Sequence, residues 1–343
     1  MKIAMTHVDL PNESKGGVAF QAHYLANVLV ERGHDVTMFT FSPWFEECRY
    51  QVHQYAIAPK LKKFHAFLLA GNLAKTDFSA FDIVHTHGDN FLLFGKHPQV
   101  RTFHGSAIDE ALSAVTWRFR AYQTVFAGLE KVGAWIADVN VGVSKATQKR
   151  IPAVSIVVPN GVDTDRFSPG QKSEHPSILF VGTTGGRKRG EFLAEIFRQQ
   201  VRTKFPQAEL WTVAEKPMEG EGILNFGRVS QDALCELYRR AWIFCLPSTY
   251  EGFGIPYVEA LAAGTPTVAS LNVGAREILE EGKYGILAED DQIGNQINLL
   301  LENENLRQKY AELGLVRSRD FSWELVAQKY EQIYADAIAK HKS

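Results

Sequence analysis

Apolar positions along this chain follow two rhythms. Short β-branched runs, "KIAMTHVDL", "DVTMFTF", "FDIVHTHG", "QVRTFHG", "ADVNVGVS" and "VSIVVPNGV", predict strands. After the first of them Val18, Ala22, Leu25 and Leu29 recur at helical spacing, and Gly33 stands where that helix should end. The alternation then restarts. "SILFVGTTGGRKRGEFLAEIFRQQV" reads as strand, glycine-rich loop and helix, followed by strands in "AELWTVAE", "WIFCLPS" and "PTVAS". Helices fall at "SQDALCELYRRA", with Ser230 placed to cap it, and at "IPYVEALAAG". Alternating strands and helices imply an α/β fold with parallel sheets covered on both faces, here in two halves. The polar segment 163–177, with Pro169, Gly170 and Pro176, reads as the linker, and a last helix begins near Ser322. Each half opens with a strand, a glycine-rich loop and a helix, an arrangement suited to holding phosphate at a helix N-terminus.

Composition narrows the function classes. The 343 residues are 45% hydrophobic and 22% charged, ordinary for about two globular domains. A net charge of −2 argues against a nucleic-acid partner. Residues 1–150 hold 16 Lys+Arg against 13 Asp+Glu, or +3, and the remainder 21 against 26, or −5. The faintly basic half leaves room for peripheral contact with an anionic membrane surface. Cys48, Cys235 and Cys245 are odd in number and widely spaced, which fits a reducing cytoplasm. The first residues turn polar too soon for a signal peptide, and no apolar run approaches the ~18–20 residues of a membrane span.

The candidate chemistry sits in "PSTYEGFGIPYVEALAAGTPTVAS", residues 247–270. Its strand should end near Ser248, and ligands of open α/β sheets bind beyond the carboxyl ends of strands. Glu251 therefore falls in a loop at the binding edge, where Gly252 and Gly254 let backbone approach a ligand. Pro256 suits the first helical position, which puts Glu259 in the first turn and leaves the N–H groups of Gly254, Ile255 and Tyr257 pointing outward. Carboxylates accept from sugar hydroxyls and a helix start attracts phosphate. A nucleotide-sugar has both groups. The plainer reading makes Glu251 a solvated loop charge and Glu259 a partner of the helix dipole. The spacing does not say which acid would take which job. In the loop 182–190, Arg187, Lys188 and Arg189 follow two glycines at a helix start, placed to stabilise a departing diphosphate. The plainer reading there is a solvated helix end.

Residues 251–260 match, one for one, the Glu-Gly-Phe-Gly-Ile/Leu-Pro-x-x-Glu-Ala block of the retaining GT-B glycosyltransferases known as family 4. "VPNGVDTDRF", "FVG" at Phe180 and "FSWELVAQKYEQIY" resemble further segments of that family, so the likeness spans nearly the whole chain. It implies two Rossmann-like doubly wound domains facing across a cleft: 1–165 for the acceptor and 166–322 for the donor. The helix 323–343 would cross back to the first domain. It implies that Glu259 bonds the ribose hydroxyls, that His104, Glu251 and Lys188 serve catalysis at the transferred sugar and diphosphate, and that backbone around Phe253, Gly254 and Ile255 helps. The family usually has arginine where this chain has Thr183, and Arg187 is the expected substitute. Gly16 and Gly17 would approach the diphosphate, Arg228 and Val229 the base, and His104 of "RTFHGS" the donor sugar.

The expected activity is retaining, metal-independent transfer of a hexose from a nucleotide-sugar to a saccharide, lipid-linked or small-molecule hydroxyl. No cofactor is expected. A UDP-sugar such as UDP-glucose is the first choice of donor and GDP-mannose the second. The alternatives are a sugar-nucleotide epimerase, a phosphorylase, a nicotinamide-dependent oxidoreductase and a non-catalytic sugar-nucleotide-binding subunit. The oxidoreductase is disfavoured because neither glycine loop has Gly-x-Gly-x-x-Gly spacing. "DTD" at 163–165 is read as a turn, and "HTH" at 85–87 as lacking a third metal ligand. The acceptor is placed around 10–20, 60–75 and 85–120, and "AVTWRFRAYQTVF" is read as a packed helix with a solvated face.

Overall fold

In the computed structural model, residues 1–11, 17–95, 97–112 and 116–342 are described. The chain divides into two compact units, Met1–Gly161 with Trp323–Ser343, and Val162–Ser322. The change of unit falls at 161/162 rather than at 165/166. There Val162 already bridges to Ser322 and donates its N–H to the Phe321 carbonyl at 2.8 Å.

The first unit holds β1 (Lys2–Thr6), β2 (Asp35–Thr40), β3 (Gln51–Gln54), β4 (Ile83–Thr86), β5 (Gln99–Phe103), β6 (Val139–Gly142) and β7 (Ile156–Val157). They form one sheet in the order β3-β2-β1-β4-β5-β6-β7, and every pairing is parallel. Side chains alternate across it. Ile3 and Met5 join Leu25 and Leu29 of the helix Val18–Glu31, together with Val326, Tyr330 and Tyr334 of the closing helix Trp323–Lys342. Ala4 and Val84 point the other way, toward Leu69 and Leu73 of the helix His65–Lys75. Gly33 follows the first helix with φ +87°, as its position suggested. Gln21 on that helix holds the Gly161 backbone from both sides, accepting its N–H and donating to its carbonyl at 3.0 Å each.

The second unit holds β8 (Ser177–Val181), β9 (Glu209–Val213), β10 (Ile223–Asn225), β11 (Ile243–Leu246), β12 (Thr267–Ser270) and β13 (Ile286–Ala288). Their order is β10-β9-β8-β11-β12-β13, again all parallel. Strands β3, β10 and β13 were not anticipated. All three are short and lie at sheet margins, where exposed polar positions such as those of "QVHQ" blur the apolar signal. The helix Trp117–Ile136 also differs from expectation. Only Ala127, Gly133 and Ala134 are buried, while Trp117 is 75% and Trp135 79% exposed. Its two tryptophans face outward, while Phe126 packs its ring 5.3 Å from that of Phe67. Among the described residues no helix is long and apolar enough to cross a membrane.

Each sheet reverses its winding once, between β1 and β4 in the first unit and between β8 and β11 in the second. At such a point neighbouring loops diverge to opposite faces and open a crevice at the carboxyl edge.

Candidate active site

At the second switch point the loop after β8 meets the loop after β11. The first is short and bent. Gly186 has φ +65°, Gly186–Lys188 form one 3-10 turn, and Arg189 stands at φ 55°, ψ 46° before the helix Gly190–Ile196. A side chain on Gly182 would put its Cβ 2.7 Å from Lys188 Cδ, so the missing side chain is what lets Lys188 fold over the loop. The two loops are laced together. Thr249 donates its N–H to the Arg187 carbonyl at 2.8 Å, and the Arg187 guanidinium donates to the Tyr250 carbonyl at 3.0 Å.

Glu251 is the centre of this arrangement. It is 5% exposed, which overturns the reading of a solvated loop charge. Ser248 Oγ donates to its Oε1 at 2.8 Å, with Lys188 Nζ 3.3 Å from Oε1 and Arg187 3.5 Å from Oε2. Two cations and one buried acid form a charged floor beside the open glycine loop. Thr183 turns away from it, its hydroxyl donating to Gly185 at 2.9 Å. Arg189 does not point at the loop's open side either. It donates to the Pro247 carbonyl at 2.6 Å and to Ser270 Oγ at 3.0 Å, and clasps both oxygens of Asp290 at 2.6 Å. Arg189 is therefore neither a cation set against a diphosphate, as the triplet reads in sequence, nor a solvated helix start, but a strap.

The helix Ile255–Ala262 starts one residue earlier than expected relative to its proline. Gly254, at φ +103°, is the cap, Ile255 opens the helix and Pro256 follows. Glu259 accordingly lies beyond the first turn, which contains no acid. The Tyr257 N–H does not point outward but donates to the Gly254 carbonyl at 3.0 Å. Phe253 is buried, its ring 5.8 Å from that of Phe321, while Gly252 and Ile255 are half-buried. Burial pushes the Glu259 carboxyl up to about 7, against the pull of the Tyr238 hydroxyl and the Lys188 ammonium. Lys188 thus couples electrically to both glutamates.

Sequence reasoning missed the brace beneath this loop. Asn272 caps the helix Val273–Ile278 and donates to the Ser248 carbonyl and the Tyr257 hydroxyl at 3.1 and 3.0 Å. Gly274 lies so close that a Cβ there would stand 2.5 Å from the Phe253 carbonyl oxygen. The signal was present in "NVGA", an Asn cap followed by glycine, but nothing in one dimension tied it to residue 251. Arg228 is exposed and paired with Glu215, and Val229 is half-buried in the loop after β10.

In the first unit Gly16 lies outside the described residues, and Gly17 precedes the first helix with φ +61°. His104 ends up in a row of imidazoles. Its Nε2 shares a hydrogen bond with His87 Nδ1 at 2.8 Å, and the His85 and His87 rings are 4.4 Å apart on one face of the sheet. His85 in turn bonds the Tyr334 hydroxyl and Thr102 Oγ1, at 2.7 and 2.8 Å. Burial lowers His85 and His104 to about 3 and holds His87 well below its ordinary value, so all three are neutral at pH 7. A third imidazole, His104, stands beside the "HTH" pair without making a metal site of it. Among the described residues, no group of three or more His, Cys, Asp or Glu is arranged to hold a metal ion. Asp163 Oδ1 accepts the N–H groups of Asp165 and Arg166, so "DTD" closes a turn as read.

The family models of glycosyl transferases group 1 and glycosyltransferase family 4 match residues 161–315 and 15–166. The chain belongs to this family. This glycosyltransferase is 27% identical over 288 residues to the phosphatidyl-myo-inositol mannosyltransferase of Mycobacterium tuberculosis, covering 74% of this chain and 73% of that one. Sucrose-phosphate synthase from Thermosynechococcus elongatus superposes with a TM-score of 0.78 at 21% identity, over 99% of both chains. HepE of Anabaena, in complex with UDP-glucose, gives a TM-score of 0.76 at 16% identity, over 98% of this chain and 100% of that one. The fold of the glycosyltransferase is the GT-B fold of these structural neighbours.

Proposed function

We propose that the glycosyltransferase moves a hexose from a nucleoside-diphosphate sugar to an acceptor hydroxyl with retention at the anomeric carbon and without a metal ion. The observation that carries this reading is the buried Glu251, satisfied by Ser248 and flanked by Lys188 and Arg187 at a switch point beside a glycine loop. Lys188 and Arg187 stabilise the leaving diphosphate, with Arg187 doing what an arginine at position 183 would do. Glu251 contacts the transferred sugar and Glu259 the ribose. His104 contacts the donor sugar, Gly17 the diphosphate, and Arg228 and Val229 flank the base. The bond from the anomeric carbon to the leaving phosphate breaks as the acceptor oxygen bonds to that carbon, and the acceptor proton goes to the phosphate.

UDP-sugars are the first donor class to test. GDP-mannose is the second, favoured by the relatives named as mannosyltransferases. The test is thermal unfolding of wild type and Glu259→Ala against UDP-, GDP- and ADP-sugars. A donor at ~100 times its dissociation constant adds about 2.7 kcal/mol. One nucleotide series should raise the wild-type midpoint and leave the variant unmoved. The product should keep the donor's anomeric configuration by NMR and form in the presence of EDTA. No shift with any donor, an inverted product, or abolition by EDTA would each remove the corresponding part of the proposal.

A further inference from the structure

The two units share their topology, so the buried acid at one switch point has a counterpart at the other. Glu251 follows β11, the strand just across the switch from β8. The corresponding strand in the first unit is β4, and the acid following it is Asp89. Both carboxylates are 5% exposed. Their surroundings differ. Glu251 is bonded and paired, whereas the Asp89 side chain has no hydrogen bond or ion pair among the described residues.

The groups facing Asp89 come from three elements. Arg101 on β5 attracts the charged form, while Asp9 after β1 repels it. Tyr122, on the helix Trp117–Ile136, is within its field. Arg101 is not simply its counter-ion. Its guanidinium bonds the Asn90 side chain and lies over the Phe103 ring, 4.4 Å from the ring centre. Burial pushes the Asp89 carboxyl up to about 7, with Arg101 holding it back. Among the described residues the Asp89 carboxylate makes no hydrogen bond of its own and its oxygens keep contact with solvent, so the packing around it does not account for the acid. Its position beside His87, at the carboxyl edge where β1 and β4 diverge, is where a parallel sheet receives a ligand.

We propose that Asp89 is the acceptor-binding residue, taking a hydrogen bond from a hydroxyl adjacent to the one glycosylated on a polyol or sugar acceptor. This rests on the glycosyl-transfer reading above. It assigns the first unit's switch point to the hydroxylated substrate, as Glu251 serves the donor in the second.

Glycerol carries the adjacent hydroxyls required, so the test can proceed with it as acceptor. Wild type, Asp89→Asn and Asp89→Glu, each as the full chain, would be compared for donor binding and for release of nucleoside diphosphate with glycerol at molar concentration. The expected result is donor affinity within about twofold of wild type in Asp89→Asn, with turnover reduced roughly 30- to 100-fold and partly restored in Asp89→Glu. Turnover within about twofold of wild type, or a loss of donor affinity equal to the loss of turnover, would overturn the assignment. Should Asp89→Asn fail to fold, Asp89→Ala takes its place, and a normal glycerol KM in that variant would overturn it equally. If wild type neither binds nor consumes any nucleotide-sugar, the transfer reading itself falls, a result seen without any variant.

Discussion

Arg189 shows how much a single residue settles. A non-glycine at φ 55° is strained by about 1–2 kcal/mol, and here four hydrogen bonds from one guanidinium hold it in place. The strap fixes the entry of the helix Gly190–Ile196 against the end of β11 and so sets where Lys188 stands. Asp290 is held below the usual carboxylate range by that contact. Removing the side chain should loosen donor binding without touching the reacting groups. Arg189→Ala and Arg189→Gly are both expected to raise the donor KM roughly 10- to 100-fold, with kcat little changed. Glycine relieves the backbone strain and alanine does not. Equal losses would assign the effect to the guanidinium, and a normal KM in Arg189→Gly would show that only the strain mattered.

At the scale of elements, the closing helix Trp323–Lys342 is bound to the first unit by more than apolar packing. Glu331 accepts from Arg32 at 2.7 Å and faces His34 at 2.8 Å, and Arg32 also reaches Glu324. The Arg32 guanidinium, helped by His34, lowers the Glu331 carboxyl from 4.5 to about 2. A carboxyl held lower in the folded than in the unfolded chain stabilises above its unfolded pKa. That contribution disappears as pH falls toward its folded value. Glu331→Gln should therefore lose about 1–2 kcal/mol at pH 7, after allowing for solvent screening, and almost nothing near pH 2. Urea midpoints for the two proteins across that range give the answer. A constant difference at every pH would mean that packing, not charge, is what the substitution disturbs.

For the molecule as a whole, the exposed apolar residues gather in the first unit. Trp117 and Trp135 project from one helix, Leu112 is 68% exposed, and a cavity of about 420 Å³ lies beside Trp135, lined by Ile108, Ala127, Ile151 and Pro152. Lys131, Arg150 and Glu130 are at the same cavity, with Arg150 paired to Asp109. Aromatic residues beside cations suit the boundary of an anionic bilayer, where a lipid-linked acceptor would be met. Flotation with phosphatidylglycerol vesicles is expected to carry the wild-type protein upward. Replacing Trp117 and Trp135 by alanine should weaken that binding roughly tenfold. Wild type remaining at the bottom of the gradient would exclude the membrane role.

The sequence by itself determined the two αβ halves and the family. Those properties are written in local periodicity and in a contiguous block from Glu251 to Ala260. Turn residues such as "DTD" and the Ser230 cap were legible for the same reason, since their partners lie within a few positions. Contacts between distant segments were not legible. Asn272 under Ser248, Asp290 on Arg189 and Gly274 against Phe253 join segments far apart in the chain, and no periodicity encodes them. Only the tertiary structure decided that Glu251 is buried and satisfied while Asp89 is buried and is not. Solvation depends on everything that packs around a group, and a one-dimensional pattern records only its neighbours in the chain.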